Sequence, residues 1–427
     1  MSAVSGNTVV VGGYGGDEGK GKVVGDIIRI GNFEYVVKFN GGRNSGHTTT
    51  IECVEVVYHG LPAGCRYPHM KAVIGNGAVV DVPSLVREIE ETGMDTGRLY
   101  ISDRAHITLP TEMEIERILE NRKGSRIGTT NKAIGPTYAM KALRLGLRVV
   151  DLLDENNFRR KLQGHFDALY DLGIKLDGVD FERTYTDQLA AFEVLRSRVT
   201  NVAHLLAQAK GDILFEGSQG TILDIDHGTY PYVSSSNGTA GGACTGSGVG
   251  PTEIENVVLI LKAYPTRVGD GPFLTRMDSE LEERIREKAH EFGATSGRPR
   301  ECGHVDAVAE KYAIEVSRPT HLCITRLDIL DGMPDLNVCI AYRDKRTGKL
   351  REDFPADLAD ADGNANYEPV WGETLIGWDG ITKGASDFEK LADAGASPWV
   401  EGRETALRRK IDMISTGPEY GEFVVRE

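Results

Sequence analysis

Asp17 stands inside a run suited to holding an anion: Val9-Val10-Val11-Gly12-Gly13-Tyr14-Gly15-Gly16-Asp17-Glu18-Gly19-Lys20-Gly21-Lys22. Glycines let successive backbone N–H groups face a phosphate, and a helix starting there adds partial positive charge. Gly16-x-x-x-x-Gly21-Lys22 meets most of the P-loop pattern, but Val23 stands where Ser or Thr should hold magnesium. An acid beside its own phosphate site needs a reason. Asp17 either shares in holding the metal, or moves a proton, or does both. A tight strand–helix turn without a ligand accounts for the same glycines equally well.

Other residues could join that chemistry. His47 closes a second glycine-rich turn, Asn40-Gly41-Gly42-Arg43-Asn44-Ser45-Gly46-His47-Thr48. A histidine beside a phosphate can act as a general acid or stabilise charge; alone, it is as readily a loop donor. Arg298 and Arg300 sit in the turn 293–300, and guanidinium forks match carboxylates and phosphates. A surface turn with two solvated arginines is the plainer alternative. Asp328, in Thr325-Arg326-Leu327-Asp328, can accept from both N1–H and N2–H of guanine, a donor pair that adenine lacks. Lys123 to Lys132 is basic, small and polar, suited to a loop that closes on an anion or to a solvated connection. Lys141, Arg144 and Arg148 have the spacing of one basic helical face. Asp224, Asp226 and His227 fall within one extended segment and suit hydrogen-bonded loop scaffolding better than a metal site.

The elements that must position these residues are legible in outline. The valine run predicts a strand, and Val23, Val24, Ile27 and Ile28 predict a helix after it. Tyr35–Phe39 is the next strand, and its glycine turn falls roughly 30 residues after the first, the spacing of a βαβ unit. Further buried strands are expected at Ile213–Phe215, Val257–Ala263, Leu322–Ile324 and Ile411–Ile414. In a parallel sheet ligands collect at the C-terminal strand ends, so these loops can face one pocket. The long, weakly charged stretch from Glu216 to Pro251 is functional rather than structureless. The polar region 343–405 is expected to be a peripheral insertion, and no internal repeat is visible.

Composition narrows the class. The 427 residues carry a net charge of −15, which disfavours nucleic acid and anionic membrane as partners. Cys53, Cys65, Cys244, Cys302, Cys323 and Cys339 are scattered without a C-x-x-C pair, so neither a disulfide framework nor a zinc site is indicated. No apolar run reaches the ~18 residues of a membrane span. The expectation is a cytoplasmic protein.

Taken together and in order, the loops resemble those of the adenylosuccinate synthetase family. They are Gly16 to Lys22, Gly41 to Thr48, Gly128-Thr129-Thr130, Ile134-Gly135-Pro136, Glu216 to Gly220, Asp226 to Val233, Gly293 to Arg298, Thr325 to Asp328 and Ser415 to Pro418. The resemblance implies one α/β domain over 1–427 with a large, mainly parallel sheet and flanking helices. It implies GTP-dependent ligation of IMP and L-aspartate to adenylosuccinate, through a 6-phosphoryl-IMP intermediate, in AMP biosynthesis. Magnesium would be held by Asp17 and the Gly46 carbonyl. Asp17, His47 and Lys20 would be catalytic. Asn44, Thr130, Gln219, Ser234 and Arg298 would hold IMP, with Arg144 supplied across a homodimer. Thr295, Arg298 and Arg300 would hold aspartate. Gly16, Glu18, Gly19, Lys20, Gly21, Lys22, Gly46, His47, Thr48, Arg300, Arg326, Asp328, Ser415 and Gly417 would serve GTP.

The chain departs from the family pattern at Tyr14-Gly15, Arg43, Asn131-Lys132-Ala133, Ser234, Pro299 and Arg326. Two other functions share parts of this pattern: a GTP-binding switch with no second substrate, and a paralogue aminating GMP or dGMP. Val23 and an otherwise idle Arg298 disfavour the first. Asp17, which a 2-amino group would crowd, disfavours the second.

Overall fold

The valines after Thr8 form β1 (Thr8–Gly12), buried along its whole length. Val9 and Val11 join the core on one face and Val10 the core on the other, the period-two alternation of a strand covered on both sides. The computed structural model describes residues 4–51, 54–121, 127–293, 297–360, 363–419 and 421–426. Among these, β1 lies within a ten-stranded sheet. The other strands are β2 (Phe33–Lys38), β3 (Lys71–Ile74), β4 (Leu99–Ser102), β5 (Val199–Thr200), β6 (Asp212–Gly220), β7 (Asn256–Lys262), β8 (His321–Thr325), β9 (Met413–Ser415) and β10 (Phe423–Val425). Their spatial order is β10-β9-β8-β7-β1-β6-β2-β3-β4-β5, parallel throughout except for the β9–β10 pair. The expected mainly parallel sheet with flanking helices is therefore present.

Parallel pairing brings the C-terminal ends of β1, β2, β6 and β8 to one edge, with β1 between β6 and β7. That edge is where an open α/β sheet holds its ligand. β6 is bulged there: Val10 faces Glu216 but Gly12 faces Gly220. Gln219 absorbs the irregularity with a left-handed φ of 63°. A bulge re-aims side chains, and this one lies beside the first glycine loop.

Two expectations require correction. The helix Ile134–Leu143 stops at Arg144, whose φ of 64° caps it in the left-handed region. Arg148 lies beyond the helix, bridged to His106, so Lys141, Arg144 and Arg148 do not share a helical face. The region 343–405 is not one peripheral insertion. Its first part belongs to a small sheet in which Val338–Asp344 pairs with Leu350–Arg351 and Tyr367–Trp371. Its later part enters the main core through Leu391, Trp399 and Val400. There Arg403, fully buried, pairs with Glu310 at 2.6 Å and donates to the Lys262 carbonyl at 3.2 Å. Sparse apolar residues among many charges concealed this packing in the sequence.

Candidate active site

The first glycine loop leads directly into the helix Lys20–Ile30, which Gly19 opens with a φ of 80°. Asp17 is itself left-handed at φ 58°, an uncommon state for a non-glycine residue. Glu18 shapes the loop from within. One of its oxygens accepts from the N–H groups of Tyr14 and Gly16, and the other from Lys20 Nζ at 2.6 Å. A Cβ at Gly21 would run into the Thr48 carbonyl oxygen, so glycine there lets the helix lie against the strand His47–Ile51. The two glycine loops are thereby locked together.

A cleft of about 1290 Å³ opens at this edge of the sheet. The first loop lines it with Gly16, Asp17, Gly19, Lys20, Gly21 and Lys22, and the second with Asn44, Gly46, His47 and Thr48. Thr130, Gln219 and Ser234 line another part, and Arg298 and Arg300 another. Arg326, Asp328, Ser415 and Gly417 complete the wall. Glu18 does not line the cleft but sits behind the loop it holds. Arg144 lies outside it, exposed at its helix end. Thr295 falls outside the described residues.

His47 is nearly buried, and its Nδ1 lies 2.5 Å from Oε1 of Glu216. Burial pushes the imidazole below its ordinary pKa, and the Glu216 hydrogen bond offsets part of that. Glu216 is buried too, which opposes its charge, yet the hydrogen bond with His47 and the Ala63 N–H at 2.9 Å leave its carboxyl below the usual range. An ionised Glu216 accepts from Nδ1 and fixes the ring, and a second proton on Nε2 makes the imidazolium whose charge that carboxylate supports.

Four buried polar atoms on the cleft's residues have no hydrogen-bond partner among the described residues: Gln219 Oε1, Ser234 Oγ, Arg267 Nε and Asp328 Oδ1. Buried polar atoms are normally paired, so these are sockets for a ligand or ordered water. Burial raises the Asp328 carboxyl, with Arg326 opposing. Arg326 has a left-handed φ of 62° and donates to the Ala289 carbonyl at 3.2 Å. Asn44 Oδ1 accepts from Gly42 N at 3.1 Å, and Ser415 Oγ donates to the Gly417 carbonyl at 3.2 Å.

Residues 127–130 line one side of the cleft. Arg298 donates to the carbonyls of Gly128 at 3.1 Å and Thr129 at 3.3 Å. Asn131 and Ala133 are both left-handed, at φ 54° and 58°. Glu120 accepts from three successive N–H groups, those of Ile127, Gly128 and Thr129, and Glu116 from Ala133 N. Arg43 points away from the cleft, pairing with Asp81 and Ser84 at 2.5 Å each. Asp224 accepts from the N–H groups of Asp226, His227, Gly238 and Thr239, which is loop scaffolding.

Sequence reasoning missed Glu216 as the partner of His47. Its only signal was an acid at the end of a buried strand. Glu291, which pairs with Arg300 at 2.6 Å, carried no signal at all.

Magnesium keeps water and phosphate oxygens around it and takes few protein ligands. The Asp17 carboxylate and the Gly46 carbonyl, on adjoining walls of one cleft, fit such a site. No group of three His, Cys, Asp or Glu residues able to cage a metal occurs among the described residues. No described helix is long and apolar enough to cross a membrane.

Comparison with known proteins adds the following. The family model of adenylosuccinate synthetase matches residues 9–424. The adenylosuccinate synthetase of Halothermothrix orenii is 42% identical over 432 residues, covering 99% of both chains. That of Shewanella amazonensis is 42% identical over 98% of each. The solved structure of the fully ligated adenylosuccinate synthetase from Plasmodium falciparum superposes with a TM-score of 0.92 at 34% identity, covering 99% of this chain and 100% of that one. The succinoaminodeoxyadenylate synthetase of cyanophage S-2L, solved with dGMP and dATP, shares the fold at a TM-score of 0.61 and 18% identity, covering 99% of this chain and 95% of that one.

Proposed function

The chain belongs to the adenylosuccinate synthetase family, and from that premise we propose that it ligates IMP and L-aspartate through a 6-phosphoryl-IMP intermediate formed from GTP. The observation that carries this reading is the cleft itself. It combines a phosphate loop bearing an acid, Asp17, with unpartnered acceptors at Gln219, Ser234 and Asp328.

In the proposed reaction Asp17 takes the proton from N1 of IMP, and the electron density released makes O6 nucleophilic. O6 attacks the γ-phosphorus of GTP, the bond to the β,γ-bridging oxygen breaks, and GDP leaves. The amine of aspartate then adds to C6, loses a proton, and expels the O6-phosphate. A general base at such a step contributes ~10²–10⁴ in rate. His47, oriented by Glu216, and Lys20 meet the charge that develops on the transferring phosphoryl group. Magnesium, bound by Asp17 and the Gly46 carbonyl, would neutralise phosphate charge.

Asn44, Thr130, Gln219, Ser234 and Arg298 hold IMP in this reading, with Arg144 supplied by the second subunit of a homodimer. Thr295, Arg298 and Arg300 hold aspartate. Glu18, Thr48, Arg300, Arg326, Asp328, Ser415, Gly417 and the loop glycines serve GTP. The test is a phosphate-release assay with IMP, aspartate, GTP and magnesium, omitting each in turn. Multiple turnovers that require all three substrates are expected. Release without IMP and aspartate would indicate a GTP-binding switch, and release with dGMP replacing IMP would indicate the paralogous amination.

A further inference from the structure

Arg300 is shared between two carboxylates. Its Nε donates to Asp17 Oδ2 at 2.7 Å and its Nη1 to Glu291 Oε2 at 2.6 Å. Arg300 and Asp17 line the cleft, whereas Glu291 lies behind the wall, fully buried. The other oxygen of Glu291 accepts from Lys262 Nζ and from Tyr264 Oη, each at 2.7 Å. Lys262, also buried, gives a further bond to Thr266 Oγ1 at 3.0 Å. Burial opposes charge on Glu291, but Lys262, Arg326 and Arg300 together hold its carboxyl far below the ordinary range. It is a fixed negative charge in a rigid frame.

A guanidinium beside a lone carboxylate prefers the bidentate arrangement, with two parallel N–H···O bonds. Given only Asp17, Arg300 would turn its fork onto that acid and withdraw its charge from the cleft. Glu291 prevents this by fixing Nη1 on the far side, so that a single N–H reaches Asp17.

We infer that Glu291 is a positioning residue that anchors Arg300 between the base and the cleft, so that its guanidinium is available to a carboxylate of the second substrate. The inference rests on the proposed ligation of IMP and aspartate. It makes Lys262 and Tyr264 supports of the same assembly, because they hold Glu291 ionised and immobile.

The test is a double-mutant cycle with the full-length protein, using Glu291→Gln and Arg300→Leu, read as steady-state phosphate release with aspartate, IMP and GTP varied separately. Gln keeps the shape and one acceptor while removing the charge. Glu291→Gln alone should raise KM for aspartate by about tenfold, with KM for IMP and GTP moving by about twofold at most; contacting residues couple at this level. In the Arg300→Leu background the same change should have almost no further effect on KM for aspartate. Equal effects in both backgrounds, or parallel rises in all three KM values, would overturn the assignment and leave Glu291 a structural ion. Should Glu291→Gln fail to fold, Glu291→Gln with Lys262→Met removes the charge and its counter-ion together and enters the same cycle. A wild-type protein that does not turn over the three substrates would refute the proposed function. A wild-type protein that does, combined with additive variants, would refute only the role of Glu291.

Discussion

His47 and Glu216 lie 169 residues apart in the chain, yet Nδ1 of one sits 2.5 Å from Oε1 of the other. The loop after β2 delivers the imidazole and the middle of β6 delivers the carboxylate, and the two strands are neighbours in the sheet. The N–H groups of Ala63 and Gly64 fix the carboxylate in turn. Glu216→Gln should therefore loosen the ring and its tautomer without touching any substrate. Orienting partners of this kind are worth ~10–100-fold in activity. The expected outcome is a fall in kcat of that size, with equilibrium binding of GTP and IMP nearly unchanged. An unaltered kcat in a folded variant would show that other contacts orient His47.

Asp17→Asn is expected to keep the loop and its nucleotide affinity. The amide can still accept from Arg300 Nε but cannot take a proton. Turnover should fall by ~10²–10⁴. Rapid-quench measurement of GTP cleavage in a single turnover checks that the lost step is phosphoryl transfer; normal cleavage with slow product release would move the role of Asp17 elsewhere.

How much of this was legible depended on the distance over which residues interact. The strand–loop–helix from Val9 to Ile28 was readable because a β-branched run, a glycine break and a helical period adjoin one another. Asp17, Lys20 and Asp328 stood out because local patterns carry their chemistry. The pairings Glu216–His47 and Arg300–Glu291 depend on which strands and turns become neighbours, and no local pattern encodes that. Arg144 misled because charges spaced along a helix do not reveal where the helix ends. Trp399 and Arg403 were hidden by the polarity of their neighbours, although one is core and the other a buried ion-pair partner.

Behind the phosphate loop, Asp306 offers a test by pH. Its carboxyl accepts from Tyr342 Oη, Tyr14 Oη and Ala309 N and has no ion-pair partner among the described residues. Burial raises its pKa from 3.8 to about 6. A folded pKa above the unfolded one gives stability that is complete below about pH 4 and is lost as pH rises through about 6. The shift corresponds to about 3 kcal/mol. Asp306→Asn is neutral at every pH and should lack this dependence. Relative to the variant, the wild type should lose up to about 3 kcal/mol between pH 4 and pH 7, read from urea unfolding midpoints. A difference that stays flat across this range would mean that Asp306 is already ionised in the fold at low pH.

Arg144 lies exposed at the end of its helix, away from the cleft of its own chain. If a second subunit presents it to that cleft, Arg144→Leu and Asp17→Ala should each be nearly inactive alone. Mixed under conditions of subunit exchange, they should recover partial activity, because one of the two hybrid sites then has both wild-type side chains. Exchange demonstrated by mass, without recovery, would leave Arg144 acting within its own chain or serving structure alone.

The choice of nucleotide is tested at Asp328. It follows β8 at the ligand edge of the sheet, and its Oδ1 is buried without a partner among the described residues. Guanine presents two adjacent donors to one carboxylate. Adenine presents the N1 acceptor to the same oxygen and would leave it desolvated and unsatisfied. Sites built around hydrogen bonds reject such analogues by up to roughly 10⁴–10⁵. Asp328→Asn replaces one acceptor by a donor, which suits the C2 carbonyl of xanthine and opposes the 2-amino group of guanine. Wild type should therefore prefer GTP strongly over ATP and XTP, and Asp328→Asn should reverse the order of GTP and XTP. The measurement is kcat/KM for the three nucleotides at saturating IMP and aspartate. Equal use of ATP by the wild type, or a GTP preference kept by the variant, would transfer base recognition from Asp328 to another part of the wall.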